Sequence, residues 1–129
     1  MLSVEGIHHI AIICTDYERS KAFYTEVLGL QIIREVYRQE RASYKLDLSL
    51  NDQYVRELFS FPKPATRPSF PEASGLRHLA FRVKDIDQAV RQLEMKKGAA
   101  EPVRVDPYTG KKFTFFQDPD GLPLELYED

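Results

Sequence analysis

Residues 8–29 read HHIAIICTDYERSKAFYTEVLG and residues 77–98 read RHLAFRVKDIDQAVRQLEMKKG. Laid over one another, His9 meets His78, Ala11 meets Ala80, Asp16 meets Asp85 and Gly29 meets Gly98, every pair 69 positions apart. Self-similarity at a fixed offset constrains the architecture before any single residue does. Two copies make a duplicated half-domain, since a solenoid needs three or more.

Each copy opens on a short apolar run rich in β-branched residues, Ile7 to Cys14 and Leu76 to Val83, the length of a buried strand. A helix start follows. Thr15-Asp16-Tyr17-Glu18 has capping-box spacing, with the Thr15 hydroxyl as the expected cap, and Asp85-Ile86-Asp87-Gln88 offers the same chemistry. Phe23, Val27 and Leu30, and then Ile86, Val90 and Leu93, recur at helical spacing. Gly29 and Gly98 are expected at left-handed positions that stop the helices.

Strand-like stretches come next: Leu30 to Tyr37, Tyr44 to Leu50 and Tyr54 to Phe61 in the first copy, with Asn51-Asp52 as a hairpin turn. The second copy has Glu101 to Val105, Lys112 to Gln117 and Pro123 to Tyr127, with Asp118-Pro119-Asp120-Gly121 as a turn. Each half therefore reads β-α-β-β-β. The expectation is one α+β domain over 1–129, built of two βαβββ modules at about 4–61 and 75–128. The segment 62–74 holds four prolines and reads as a connector.

A chain of 129 residues suits one domain and needs no disulfide to fold. Twenty acidic against eighteen basic residues, net charge -2, lacks the basic excess of a nucleic-acid partner. No apolar run is long enough to span a membrane, and the first residues lack a signal-peptide pattern, so a cytoplasmic protein is expected. Cys14 is the only cysteine and reads as a core residue.

The repeat also duplicates two metal-capable side chains. His9 and His78 sit at the same place in the first strand of each half, and Glu57 and Glu125 at the same place in the last. If the outer strands of a half lie side by side, its His and Glu share one sheet face. A pseudo-twofold between halves would then gather two imidazoles and two carboxylates. A lone strand histidine is more often a satisfied core residue, and a lone Glu at a strand end is usually solvated. Four at symmetric positions point instead to a metal site, because a carboxylate on an apolar strand needs a partner. Two N and two O donors suit Zn, Ni, Co, Mn or Fe better than Ca or Cu(I). His8, whose counterpart is Arg77, reads as structural.

These residues resemble the vicinal oxygen chelate superfamily, which includes glyoxalase I. The resemblance rests on His9 ahead of Asp16 to Gly29 (D-x-x-x-S-x-x-F-Y-x-x-V-L-G), Glu57 in Glu-Leu, His78 in H-L-A-F, and Glu125 after D-P-D-G. It covers nearly the whole chain, and the stretch Val105 to Glu128 looks like the small YaeR-type branch labelled as lactoylglutathione-lyase-like. It implies modules whose sheets curl around one divalent metal, Zn or Ni foremost, held by His9, Glu57, His78 and Glu125. It also implies a homodimer, a small-molecule substrate and no nucleic-acid or membrane partner.

The implied chemistry is lyase/isomerase proton transfer on a 2-oxoaldehyde–thiol adduct, through an enediolate stabilised by the metal. Glu125 is then the base and Glu57 the second carboxylate. The alternatives within the resemblance are an epimerase, a dioxygenase, a thiol transferase or a non-catalytic binding module. Carboxylates at both positions favour the isomerase. Glutathione-dependent members carry a basic residue where this chain has Glu26, and often Asn where it has Phe61. Arg38, Arg41 and Lys112 are the candidates for replacement positive charge at the substrate, and Tyr108, in its turn, could also reach the cavity.

Overall fold

The computed structural model describes the whole chain except the side chains at positions 54 and 55, and the strand expected at Tyr54 to Phe61 is present as Gln53–Ser60. The chain divides into two compact units, Met1–Thr66 and Arg67–Asp129. The first runs β1 (Ile10–Cys14), α1 (Tyr17–Ala22), β2 (Gln31–Arg38), β3 (Ser43–Leu50) and β4 (Gln53–Ser60). The second runs β5 (Leu79–Val83), α2 (Ile86–Met95), β6 (Arg104–Val105), β7 (Lys112–Gln117) and β8 (Pro123–Glu128). The sheets have the orders β1-β4-β3-β2 and β5-β8-β7-β6, with the first and last strands of each unit side by side and parallel. The structure is thus the expected mixed α+β arrangement. Among the described residues no helix is long and apolar enough to cross a membrane.

Alternation assigns the faces of each sheet. In the first unit Ile12, Cys14, Leu46, Leu48 and Leu58 are buried, together with Tyr17 and Tyr24 of the helical segment. In the second, Ile86 and Leu93 of α2 are buried with Thr114, Phe116, Leu124 and Leu126, and α2 packs on β7 and β8. Tyr17 ties α1 to the sheet. Its ring stacks on Tyr44 at 4.3 Å and its hydroxyl donates to Glu35, which also accepts from Lys21 Nζ at 2.7 Å. Burial, and then Glu35, push the Tyr17 hydroxyl well above its ordinary range, while Lys21 and Tyr17 hold the Glu35 carboxyl below its own.

Several local expectations are corrected. The first strands begin at Ile10 and Leu79, because ladder pairing starts at Ile10↔Arg56 and Leu79↔Leu124. Asp16 caps α1, accepting from Arg19 N–H at 3.2 Å, in place of Thr15; Asp85 caps α2 through Gln88 N–H at 3.0 Å. After Ala22 the chain winds one wider π turn, Phe23–Val27, with Leu28 N–H donating to the Phe23 carbonyl at 3.2 Å. The buried face is consequently Tyr17, Ser20 and Tyr24, and Phe23 and Val27 are only half-buried. Strand β6 keeps just two of the five residues expected at Glu101 to Val105, since Pro102 has no N–H for a ladder.

The two helix ends also differ. Gly29 is left-handed (φ 73), as expected. At the second end Lys97 takes that conformation (φ 62), and Gly98 is needed for another reason. A Cβ at Gly98 would stand 2.4 Å from Leu93 Cδ1 and 2.7 Å from Cγ. Gly98 N–H donates to the Leu93 carbonyl (3.0 Å) and Lys97 N–H to that of Glu94 (2.9 Å), the two bonds of a Schellman motif.

Candidate functional site

Parallel pairing of outer strands puts Ala11 opposite Glu57 and Ala80 opposite Glu125. Side chains repeat every two residues along a strand direction, so His9 and His78, two positions before those alanines, fall on the faces of the carboxylates. The contacts follow. His9 Nε2 lies 3.2 Å from Glu57 Oε2, and His78 Nε2 lies 3.1 Å from Glu125 Oε2. Both carboxylates are well covered, with side chains 10% and 12% exposed, against 36% and 30% for the imidazoles. In each unit a ring nitrogen, from the residue just before the first strand and not within it as expected, turns toward a carboxylate oxygen on the neighbouring last strand.

The far side of each imidazole is also engaged, by the preceding residue. His8 Nδ1 lies 2.8 Å from His9 Nδ1, and Arg77 Nη1 lies 3.2 Å from His78 Nδ1. A guanidinium can only donate, so with Arg77 at Nδ1 the His78 proton is assigned to Nε2, facing Glu125. His8, read as structural, contacts the ring of His9.

The two pairs have unlike surroundings. Across the sheet, Glu57 faces Asp47 of β3 and Asp47 faces Arg34 of β2. Arg34 donates to Asp47 Oδ2 from Nη2 at 2.7 Å and from Nε at 3.0 Å. Lys45 Nζ stands 3.6 Å from Asp47 Oδ1 and 3.8 Å from Glu57 Oε1. Glu57 is therefore held through both oxygens. At the corresponding places of the second unit stand Phe115, opposite Glu125, and Phe113, opposite Tyr127. The Phe115 ring meets His78 edge-on at 5.1 Å. Arg34, Lys45 and Asp47 were not singled out in the sequence. Their signal is the alternation in β3, where Ser43, Lys45 and Asp47 interleave with Tyr44, Leu46 and Leu48.

The remaining candidates divide by face. Arg38 shares the Glu57 face, its guanidinium 4.8 Å over Phe59 and 5.7 Å from Phe61, with Nη2 donating to Ser43 Oγ at 2.8 Å. Arg41 is exposed on the short turn Gln39–Arg41 between β2 and β3. Lys112 alternates onto the opposite face from Glu125 and pairs with Asp87 of α2 at 3.4 Å, so the structure does not bring it to the carboxylate. Tyr108 is fully exposed in a turn whose Asp106 accepts from Tyr127 Oη at 2.9 Å. Cys14 is buried, with Sγ against the Phe59 carbonyl at 3.3 Å.

Residues 6–126 match the Glyoxalase/Bleomycin resistance protein/Dioxygenase superfamily. The chain belongs to that superfamily. It is 66% identical to the uncharacterized protein YwkD of Bacillus subtilis, over 97% of this chain and 98% of that one. It is 65% identical to the uncharacterized protein YaeR of Escherichia coli, over 99% of each. The crystal structure of a glyoxalase family protein from Enterococcus faecalis superimposes with a TM-score of 0.89 at 50% identity, covering 96% of this chain and 98% of that one. The superfamily includes many enzymes, and distant relatives are named as a methylmalonyl-CoA epimerase (28% identical) and a lactoylglutathione lyase (25%).

Divalent metals are typical of superfamily enzymes, and the donor chemistry here fits one. Each pair sets an imidazole nitrogen 3.1–3.2 Å from a largely buried carboxylate oxygen, the borderline N/O chemistry of a first-row transition ion, which on binding His78 Nε2 would displace the proton that faces Glu125. Among the described residues no three His, Cys, Asp or Glu side chains form a group that could hold a metal.

Proposed function

We infer that this chain is a metal-dependent lyase/isomerase of the glyoxalase I type, acting by proton transfer on a small 2-oxoaldehyde–thiol adduct. The observation that carries the reading is the repeated imidazole–carboxylate pair, His9 with Glu57 and His78 with Glu125, each histidine just ahead of the first strand and each glutamate on the parallel last strand of its unit. His9, Glu57, His78 and Glu125 are the proposed donors to one divalent ion, zinc or nickel foremost. When bound, the ion supplies Lewis-acid stabilisation of the negative charge that develops on substrate oxygen.

The residues divide the rest of the work. Glu57 is fixed through both oxygens, by His9 and by Lys45, and suits a static role. Glu125 is held by His78 through Oε2 and is flanked by Phe115, an apolar wall that keeps water from a carboxylate handling a proton. Glu125 takes the proton from the carbon bearing sulfur and hydroxyl and returns it to the adjacent carbonyl carbon, while the hydroxyl proton passes to the oxygen of that former carbonyl, leaving the first carbon as the thioester carbonyl. The hemithioacetal becomes a hydroxy thioester, with no net oxidation and no redox partner. A homodimer, common in the superfamily, is the proposed assembly.

The test pairs elemental analysis with turnover of methylglyoxal plus glutathione, or plus a small thiol, after loading with nickel or zinc. Loss of a positioned base costs roughly 10²–10⁴ in rate. Glu125→Gln should lose that much kcat with the fold intact. Full activity of Glu125→Gln, or turnover without metal, would refute the assignment.

A further inference from the structure

Arg38 is a cation held ready. Its guanidinium lies over Phe59 and Phe61, whose rings stack at 6.1 Å, and Nη2 is hydrogen-bonded to the buried Ser43 hydroxyl. Its Nε–H is buried and has no hydrogen-bond acceptor, and no carboxylate pairs with it among the described residues. A part-buried guanidinium fixed on three sides and left without a counter-charge is matched to an anion that arrives from outside the chain.

The repeat supplies an internal control. In the second unit Arg104 stands over Phe113 at 4.9 Å and Phe115 at 5.8 Å, the same device of a guanidinium on two phenyl rings. There the charge is met by Glu101 Oε2 at 3.3 Å. On the first sheet the neighbouring cations are also matched, Arg34 by Asp47 and Lys45 by Asp47 and Glu57. Arg38 alternates onto the Glu57 face, beyond Lys45 and Phe59 along the strands. Arg38 pairs with Ser43, four residues along β3 from the Asp47 that faces Glu57, a span of about 13 Å. Its guanidinium reaches back over Phe59, about 7 Å along β4 from Glu57, so an anion at Arg38 would sit on the order of 10 Å from the Glu57 carboxylate.

We propose that Arg38, on its Phe59–Phe61 platform, is a specificity-determining carboxylate subsite, so that the oxo-acyl portion of the substrate carries a distal carboxylate. The proposal rests on the function above, in that vicinal oxygens are to be held at the His9–Glu57 end. Nη2 is taken by Ser43, and Nη1, which makes no hydrogen bond among the described residues, is the donor offered to the carboxylate.

Two compounds isolate the distal charge: 2-oxoglutarate and 2-oxopentanoate share the vicinal oxygens and chain length and differ in the terminal carboxylate. Calorimetric titration of nickel-loaded protein should show 2-oxoglutarate binding about tenfold tighter or more, the scale of one charge-assisted hydrogen bond. Arg38→Met should abolish the preference and Arg104→Met should keep it. Equal affinities in the unaltered protein, or a preference surviving Arg38→Met, overturn the subsite. A second arm needs neither metal nor a variant. The side-chain Nε–H signal of Arg38, assigned by through-bond correlation in metal-free protein, should move on addition of glutarate. No movement overturns the subsite whatever the metal does. Movement with glutarate but no binding of either oxo acid counts against the metal-chelate reading and leaves the carboxylate site standing.

Discussion

The end of α2 makes two neighbouring substitutions opposite in sign. Lys97 sits at φ 62, where a side chain crowds the following carbonyl at a cost of about 1–2 kcal/mol. Lys97→Gly relieves that strain and adds about 0.5–1 kcal/mol of unfolded-chain entropy to be lost, for a net gain of about 0.5–1 kcal/mol. Gly98→Ala does the reverse. The new Cβ would stand 2.4 Å from Leu93 Cδ1, 2.7 Å from Cγ and 3.1 Å from the Leu93 carbonyl. Cδ1 can swing aside, but Cγ and the carbonyl are tied to the helix, and Leu93 is core. Overpacking of this kind costs about 1–3 kcal/mol. Urea unfolding read by far-UV circular dichroism, with equal m-values required across variants, measures both. The midpoint should rise for Lys97→Gly and fall for Gly98→Ala. A neutral Gly98→Ala, or a destabilised Lys97→Gly, would sink the account and return Gly98 to the left-handed role its sequence position suggests.

Two further outcomes follow from the hydrogen bonds. Because Lys21 and Tyr17 lower the Glu35 pKa from 4.5, its stabilising contribution is present above pH 4.5 and is lost as pH falls through the lower folded value. Glu35→Gln should flatten that acid limb in urea midpoints measured between about pH 5 and 3, and an unchanged limb would discount the Tyr17–Glu35–Lys21 cluster. Asp118 Oδ1 accepts from both Asp120 and Leu122 N–H at 2.9 Å, the latter bond buried, so Asp118→Ala should cost about 1–3 kcal/mol by the same urea assay. A loss below about 0.5 kcal/mol, the range of ordinary surface changes, would show that the turn holds without it.

The architecture was legible because the repeat, the strand alternation and the Asn51-Asp52 and Asp118–Gly121 turns agreed. The first turn is left-handed at both residues (φ 50 and 63), as a tight hairpin requires. The histidine–carboxylate pairs were legible for the same reason, once outer strands were assumed adjacent. What escaped depended on terms a linear reading does not contain. A π turn shifts the buried helix face by one residue without altering composition, so Phe23 and Val27 looked like core and Tyr24 did not. Lys112 lies one position off the Glu125 face, which only the register Phe115↔Glu125 reveals. The Asp47–Lys45 network beside Glu57 likewise needed the pairing of β3 with β4. The two faces differ where the repeat is not identical, Asp47 and Lys45 in the first half against Phe115 and Phe113 in the second.

Parallel adjacency of the first and last strands sets an order of events. β1 leaves the ribosome early, yet its partner β4 is the last strand of its unit, so β1 must wait while the hairpin of β3 and β4 forms from local contacts. Closing that long loop is the kinetically demanding step, as non-local pairings generally are. His9 immediately precedes β1 and Glu57 lies on β4, the two strands that meet in this step, and His78 and Glu125 take the equivalent places at β5 and β8. Each donor pair comes into being only when its unit closes. Any cation engaging a pair therefore stabilises the closed unit alone, by about 2.7 kcal/mol at a free concentration one hundred times its Kd. It would slow the undocking of the first strand before it altered anything else.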